Sequence, residues 1–304
     1  MKVLVLGSNG LVGSSLVRVL SEEGKFNIIP ANRDMADLFS FDATYKMIKD
    51  VHPDIVINAA AKVGGIVANN TNRTEFILEN LKININLLES LIEFNKIKLI
   101  NLGSSCIYPL GVENPIEEKS LMTGKLEPTN SPYAMAKLTA IEMGNALTTQ
   151  YGHKIINLMP TNLYGPNDNY SPVNSHVIPG LIFRMHKAKL SQANEFSVWG
   201  TGKPQREFLY VDDLSMAVKF IILNEIEDEI LNIGSGEEVT ISDLVGKIKD
   251  VIEFEGEIVF DVSYPDGNPR KLLDSSRIRN HGWSAETTLD SGLNKSYEWF
   301  INNF

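Results

Sequence analysis

The sequence predicts an α/β fold, a doubly wound parallel sheet with a second, smaller α/β lobe, and three observations carry that expectation. Up to Pro160, short apolar runs alternate with segments of helical period, the pattern of βα units feeding a parallel sheet. A glycine-rich turn, Gly7-Ser8-Asn9-Gly10-Leu11-Val12-Gly13, joins the first apolar run to the first helical one. Beyond Pro160 the texture becomes loop-rich, with Pro166, Pro172, Pro179 and Pro204.

Taken in order, the apolar runs Lys2 to Leu6, Asn27 to Ala31, Ile55 to Asn58, Lys98 to Leu102 and Ile155 to Met159 are expected strands. Between them, Leu11 to Glu23, Ala43 to Asp50, Thr74 to Phe94 and Ser131 to Gln150 are expected helices, each closing a right-handed crossover. Ser131 is a candidate N-cap and Pro132 suits the first helical position, which puts Tyr133 in the first turn. Residues 1–165 are the expected dinucleotide-binding domain, with 207–235 returning to it through the strand-like Arg206 to Asp213 and Leu231 to Ile233. Residues 166–206 and 236–304 form the expected substrate lobe.

Composition narrows the class. The chain has 304 residues, 43% of them hydrophobic, enough for two cores. Its 28 Lys and Arg against 38 Asp and Glu give a net charge of −10. Such a surface disfavours nucleic acid and anionic membranes as partners, whereas a small anion needs only local cations. Nothing approaches the ~18 uncharged apolar residues of a membrane span. Met1 and Lys2 lead straight into Val3 to Leu6, unlike a signal peptide, so a cytoplasmic location is expected. The single Cys106 excludes an intrachain disulfide and a thiolate-rich zinc site; no metal site is expected. Asp212 and Asp213 are expected to cap or brace rather than bind metal.

In the glycine turn, Gly7 permits the bend, Gly10 admits a pyrophosphate against the backbone, and Gly13 lets helix and strand approach. The helix N-terminus then faces the anion. At the end of the second strand, Asn32-Arg33-Asp34 offers Arg33 to a ribose 2′-phosphate, favouring NADPH. Ser104 follows the fourth strand, and Tyr133 and Lys137 lie one helical turn apart on one face. That arrangement suits a phenol donating a proton to a carbonyl oxygen, with the lysine drawing its pKa toward neutrality and Ser104 sharing the hydrogen bond.

Here the chain resembles the extended short-chain dehydrogenase/reductase family of Rossmann-type folds. Within it, the chain is similar to the epimerase-reductases of GDP-4-keto-6-deoxy-D-mannose. The resemblance rests on Ala60 to Ile66 (AKVGGI after Ala60), Gly103 to Pro109 (GSSCIYP), Leu126 to Asn130 (LEPTN), Pro160 to Pro166 (PTNLYGP), Asn174 to Pro179 (NSHVIP), Trp199 to Asp213 (WGTGKPQREFLYVDD) and Pro265 to Asp274 (PDGNPRKLLD).

The resemblance implies NADPH-dependent epimerisation at C3 and C5 followed by reduction at C4 to GDP-L-fucose. Ser104, Cys106, Tyr133, Lys137 and His176 would be the catalytic set, Cys106 and His176 exchanging protons beside the ketone. A C4 ketone acidifies both neighbouring C–H bonds, and thiolate and imidazole both work near neutral pH. On an extended segment, Ser104 and Cys106 would point the same way. Cofactor contacts fall on Gly7 to Gly13, Arg33, Ala60, Lys137, Pro160, Asn162, Leu163 and His176, although Asn9 stands where the family often has a basic residue. Substrate contacts fall on Arg184, Trp199, Arg206, Asp266 and Lys271, and the Ser131 to Gln150 region would pair a homodimer. The rival readings are a GDP-4-keto-sugar C4 reductase without full epimerase activity, a colitose-type enzyme inverting only C5, and a silent NADPH-binding scaffold. A nucleotide-sugar 4-epimerase fits less well because of Arg33. A 4,6-dehydratase also fits less well, because Ser105-Cys106 occupies the place of its acid pair.

Overall fold

A computed structural model describes residues 1–304 except Val173 and Pro265; the latter, which opens the PDGNPRKLLD segment, lies outside the described residues. Along the chain the elements run β1 (Lys2–Leu6), α1 (Leu11–Ser21), β2 (Asn27–Ala31), α2 (Phe41–Val51), β3 (Ile55–Asn58), α3 (Ile66–Thr71), α4 (Arg73–Leu91) and β4 (Lys98–Leu102). They continue with α5 (Ser131–Tyr151), β5 (Ile155–Pro160), β6 (Asn162–Tyr164), α6 (Val177–Leu190), β7 (Glu195–Trp199), β8 (Gln205–Tyr210), α7 (Val211–Leu223) and β9 (Ile230–Ile233). Last come β10 (Glu238–Thr240), α8 (Ile241–Ile252), β11 (Glu257–Asp261), β12 (Arg270–Lys271), α9 (Ser276–Asn280) and α10 (Leu289–Asn303).

One parallel sheet, ordered β2-β1-β3-β4-β5-β9, dominates the molecule. Its strands are apolar on both faces because both are covered. Val3, Val5, Ile55 and Ile57 point into a core shared with α1 and α7, whereas Leu4, Leu6 and Val56 point into one shared with α2, α4 and α5. Strand order reverses between β1 and β3, and the crevice at their carboxyl ends is where such sheets bind ligands.

A second core joins α6, α8 and α10 to β7 and β8. Around β8 gather antiparallel β10 and parallel β12 and β6, while β7 pairs β11. Leu231 to Ile233 returns to the large sheet, as β9 beside β5. The Arg206 to Asp213 segment does not: its strand, β8, stays in the smaller sheet, although its Leu209 and the following α7 pack into the core shared with α1. The apolar run in β8 signals a buried strand but not which sheet buries it.

Candidate active site

The carboxyl edges of β1, β3, β4 and β5 open into one cavity of about 1650 Å³ that extends to the smaller sheet. At one end is the glycine turn. Gly7 has φ +73°, and a Cβ there would lie 2.9 Å from the Ala59 carbonyl and the Ala60 Cα. A Cβ on Gly13 would lie 2.1 Å from the Gly7 oxygen, so this position admits glycine alone. Gly10, the N-cap of α1, provides no side-chain cap. The first amides of the helix are therefore left for an anion, and the residues present fit a dinucleotide pyrophosphate.

Gly7, Asn9, Gly10, Leu11 and Val12 line the cavity. Ser8 and Gly13 do not. Ser8 is buried with its amide bonded to the Ala31 carbonyl at 3.1 Å, and Gly13 is taken up by helix packing. Arg33 is exposed on the cavity wall, while the neighbouring Asp34 is tied to Asn32, whose Oδ1 accepts the Asp34 amide at 3.0 Å. Ala60, Pro160, Asn162 and Leu163 also line the wall; Asn162 is oriented by donating to the Glu207 carbonyl at 2.8 Å.

At the middle of the cavity stand Ser104, Cys106, Tyr133, Lys137 and His176. Ser105–Ile107 forms a single 3₁₀ turn rather than the extended segment expected. The Ser104 hydroxyl accepts the Cys106 amide at 3.2 Å and so bends the chain locally. Cys106 packs against the Ala68, Phe76 and Tyr133 cluster, and Phe76 holds the Tyr133 ring edge-on at 6.4 Å. The N-cap of α5 is Asn130, one residue earlier than expected, and the Ser131 hydroxyl accepts from Arg73 at 3.2 Å instead of capping. Tyr133 still falls in the first turn.

The Tyr133–Lys137 electrostatics differ from expectation. Burial, then the nearby Cys106, pushes the phenol up, with the Ser104 hydrogen bond opposing, so the phenol stays protonated at neutral pH. Lys137 is sealed from solvent, donates to the Leu102 carbonyl at 2.7 Å and is pushed down to about 8 by burial. Its ammonium lies 5.9 Å from the phenol ring centroid. Desolvation outweighs the attraction that the i,i+4 spacing suggested.

The far end carries the cations. Arg206 and Lys271 are register partners on β8 and β12, which sets two positive side chains next to each other. Arg184 lies over Trp199 at 5.3 Å, and Trp199 stacks on Tyr264 at 4.7 Å. Trp199 is 47% exposed and so is not a core ring. Asp266 is held below the usual carboxylate range by two hydrogen bonds from Thr201, its Oδ1 accepting the amide at 2.9 Å and its Oδ2 the hydroxyl at 2.6 Å. Asp212 accepts from Ser15 at 2.7 Å and pairs with Arg18, and Asp213 accepts from Thr287 at 3.0 Å; both brace α7.

Three residues in or beside the site had no signal in the sequence pattern. Asn80, on the buried face of α4, accepts the Lys62 amide at 3.1 Å and donates to its carbonyl at 3.0 Å, holding the AKVGGI loop. Asn69 donates to the Gly64 carbonyl at 2.7 Å. Asp168, buried on the cavity wall, lies 3.9 Å from His176.

A phosphate-cradling turn beside a serine, tyrosine and lysine set, under a cation-lined second sheet, defines the class: a nicotinamide-dinucleotide-dependent enzyme of the extended short-chain type. Residues 3–234 match the NAD dependent epimerase/dehydratase family, and the chain belongs to it. It is 47% identical over 302 residues to GDP-L-fucose synthase 1 of Arabidopsis thaliana, covering 99% of this chain and 94% of that one. The GDP-L-fucose synthase of Escherichia coli K12 is 42% identical over 313 residues, covering 99% and 97%. Among solved structures, a GDP-L-fucose synthetase from Naegleria fowleri bound to NADP superposes with TM-score 0.90 at 29% identity, covering 99% and 93%.

Proposed function

We propose that the chain is an NADPH-dependent epimerase-reductase that inverts C3 and C5 of GDP-4-keto-6-deoxy-D-mannose and reduces C4, releasing GDP-L-fucose. The observation that carries this is one cavity lined by Cys106 and His176 as well as by Ser104, Tyr133 and Lys137. A simple reductase needs only the last three.

Residues 1–165 with α7 and β9 serve the cofactor, and the remainder grips the nucleotide sugar. The amides of α1 and the side chain of Arg33 would hold the dinucleotide, with Ala60, Pro160, Asn162, Leu163, Lys137 and His176 along its length. Bound there, NADPH supplies the hydride. Arg33, with Asp34 turned to Asn32, supports preference for the 2′-phosphate. Arg184, Arg206 and Lys271 would neutralise the diphosphate, and Trp199 offers a face to base or sugar.

Cys106 and His176 take and return protons at the carbons flanking the ketone, and Ser104 and Tyr133 hold the enolate oxygen that forms. Because Tyr133 keeps its proton at neutral pH, it has one to give to the C4 oxygen when that oxygen becomes an alkoxide. An active thiol at Cys106 suits the reducing cytoplasm.

The test is incubation with GDP-4-keto-6-deoxy-D-mannose and NADPH in D₂O, with the product read by NMR. Deuterium at both C3 and C5 is expected; deuterium at C5 alone, or at neither carbon, would replace this reading with the colitose-type or the simple-reductase one. Cys106→Ser and His176→Gln should each lower incorporation by about 10²–10⁴-fold. NADPH should outperform NADH in kcat/KM, and Arg33→Ala should erase most of that difference.

We also infer a homodimer. Leu78, Ile85 and Ile92, seven residues apart along α4 and its cap, are exposed, and Met135 is exposed on the adjoining α5. A stripe of that spacing on paired helices is suited to packing against its own copy.

A further inference from the structure

We propose that Asp168 is a positioning residue for His176. Its carboxylate takes the Nδ1 side of the imidazole, so that Nε2 is left to exchange a proton with the sugar ring. This deepens the function proposed above and rests on its assignment of His176.

The Asp168 side chain is only 4% exposed, and its Oδ1 accepts the Asn169 amide at 2.7 Å. Its Oδ2 is buried with no hydrogen-bond partner among the described residues, and so is Nδ1 of His176. The two side chains face each other, with Nδ1 3.9 Å from Oδ1. A buried carboxylate with one oxygen unpartnered and a buried ring nitrogen without a partner are unfavourable separately and complementary together. A movement of about 1 Å brings Nδ1 within hydrogen-bond range of the Asp168 Oδ1.

The backbone on both sides is built to hold this pairing. Gly165 and Asn167 adopt φ +151° and +63°, and Asn167 is tethered to the Ser14 hydroxyl at 3.1 Å, which anchors the Asp168 turn to α1. Glycine and asparagine are the residues that adopt such positive φ values at little cost. On the other side His176 is the N-cap of α6, and the loop before it is held by the Gly65 amide donating to the Asn174 carbonyl at 3.1 Å. An imidazole is a useful acid and base only if its reactive nitrogen is defined, and a carboxylate on Nδ1 defines it.

The experiment uses the full chain labelled with ¹⁵N-histidine, the His176 signals being assigned by their loss in His176→Gln. The neutral ring should carry its proton on Nδ1, and Asp168→Asn should move it toward the Nε2 form. In the deuterium assay, Asp168→Asn should lower kcat for exchange at one of the two carbons by about 10–100-fold with KM unchanged within about twofold. Asp168→Glu should restore most of the loss. An Nε2-protonated ring in the unmutated protein, or full exchange at both carbons in Asp168→Asn, overturns the proposal. Should the unmutated protein exchange at neither carbon, the functional reading itself fails, while the tautomer measurement still decides the Asp168–His176 pairing.

Discussion

Lys137 pits function against stability at a single residue. Burial pushes its ammonium down to about 8 from the ordinary 10.5, so between those values the unfolded chain binds a proton that the folded chain does not. Stability contributed by this group therefore rises with pH from about 8 to about 10.5, and the charged form is a burden below that window. Lys137→Met should lower turnover at least about 100-fold, yet leave urea stability at pH 7 equal or higher, by up to about 3 kcal/mol. Relative to the variant, the unmutated protein should gain stability between pH 8 and pH 10. A variant less stable at pH 7 would show that the Leu102 carbonyl contact outweighs the burial of charge. Tyr133 complements it: a phenol held protonated is a proton donor, and Tyr133→Phe should remove C4 reduction while cofactor affinity changes less than about twofold.

Across the sheet, an asparagine row ties the site to its scaffold. Asn58, Asn101 and Asn157 are register partners on β3, β4 and β5, with Asn58 donating to Asn101 at 3.1 Å and Asn101 to Asn157 at 3.0 Å. Asn84 of α4 accepts from Asn58 at 3.4 Å and donates to the Ala136 carbonyl at 3.4 Å, next to Lys137. The row therefore fixes α4 and α5 against the strand ends that carry Ser104. Asn101→Leu strands a buried donor on one side and a buried acceptor on the other, so it should lower unfolding stability by about 2–4 kcal/mol with an unchanged urea m-value. The AKVGGI loop is similarly constrained. A Cβ on Gly65 would lie 2.3 Å from the Ser175 carbonyl, so Gly65→Ala must displace the His176 loop. Turnover should fall about 10–100-fold, with NADPH affinity weakened by no more than the single His176 contact, since the glycine turn is untouched.

At the scale of the whole molecule, a chain of net charge −10 nevertheless gathers Arg184, Arg206 and Lys271 along one cavity wall, which is the local positive field the proposed anionic substrate needs. Arg206 and Lys271 are neighbours only because β12 pairs β8, 65 residues apart in sequence at that register. The proposed dimer belongs to this scale too. Sedimentation at micromolar concentration should give a dimer for the unmutated protein and a monomer for Ile85→Asp, with turnover per chain retained; a monomer for both would remove the α4–α5 interface. Among the described residues no helix is long and apolar enough to cross a membrane.

Local physics was enough for the first half of the fold. The strands Lys2–Leu6, Asn27–Ala31, Ile55–Asn58 and Lys98–Leu102 appear at the bounds their apolar runs predict, since period and turn residues act within a few positions of one another. The glycine turn and the Tyr133–Lys137 pair were legible for the same reason: each is a spacing along one element. Tertiary structure alone decided which sheet received β8, that burial rather than the lysine governs the Tyr133 phenol, and that Asp168 meets His176. Those outcomes depend on which distant surfaces exclude water from a group. Desolvation and pairing across the chain leave no periodic trace in the order of residues.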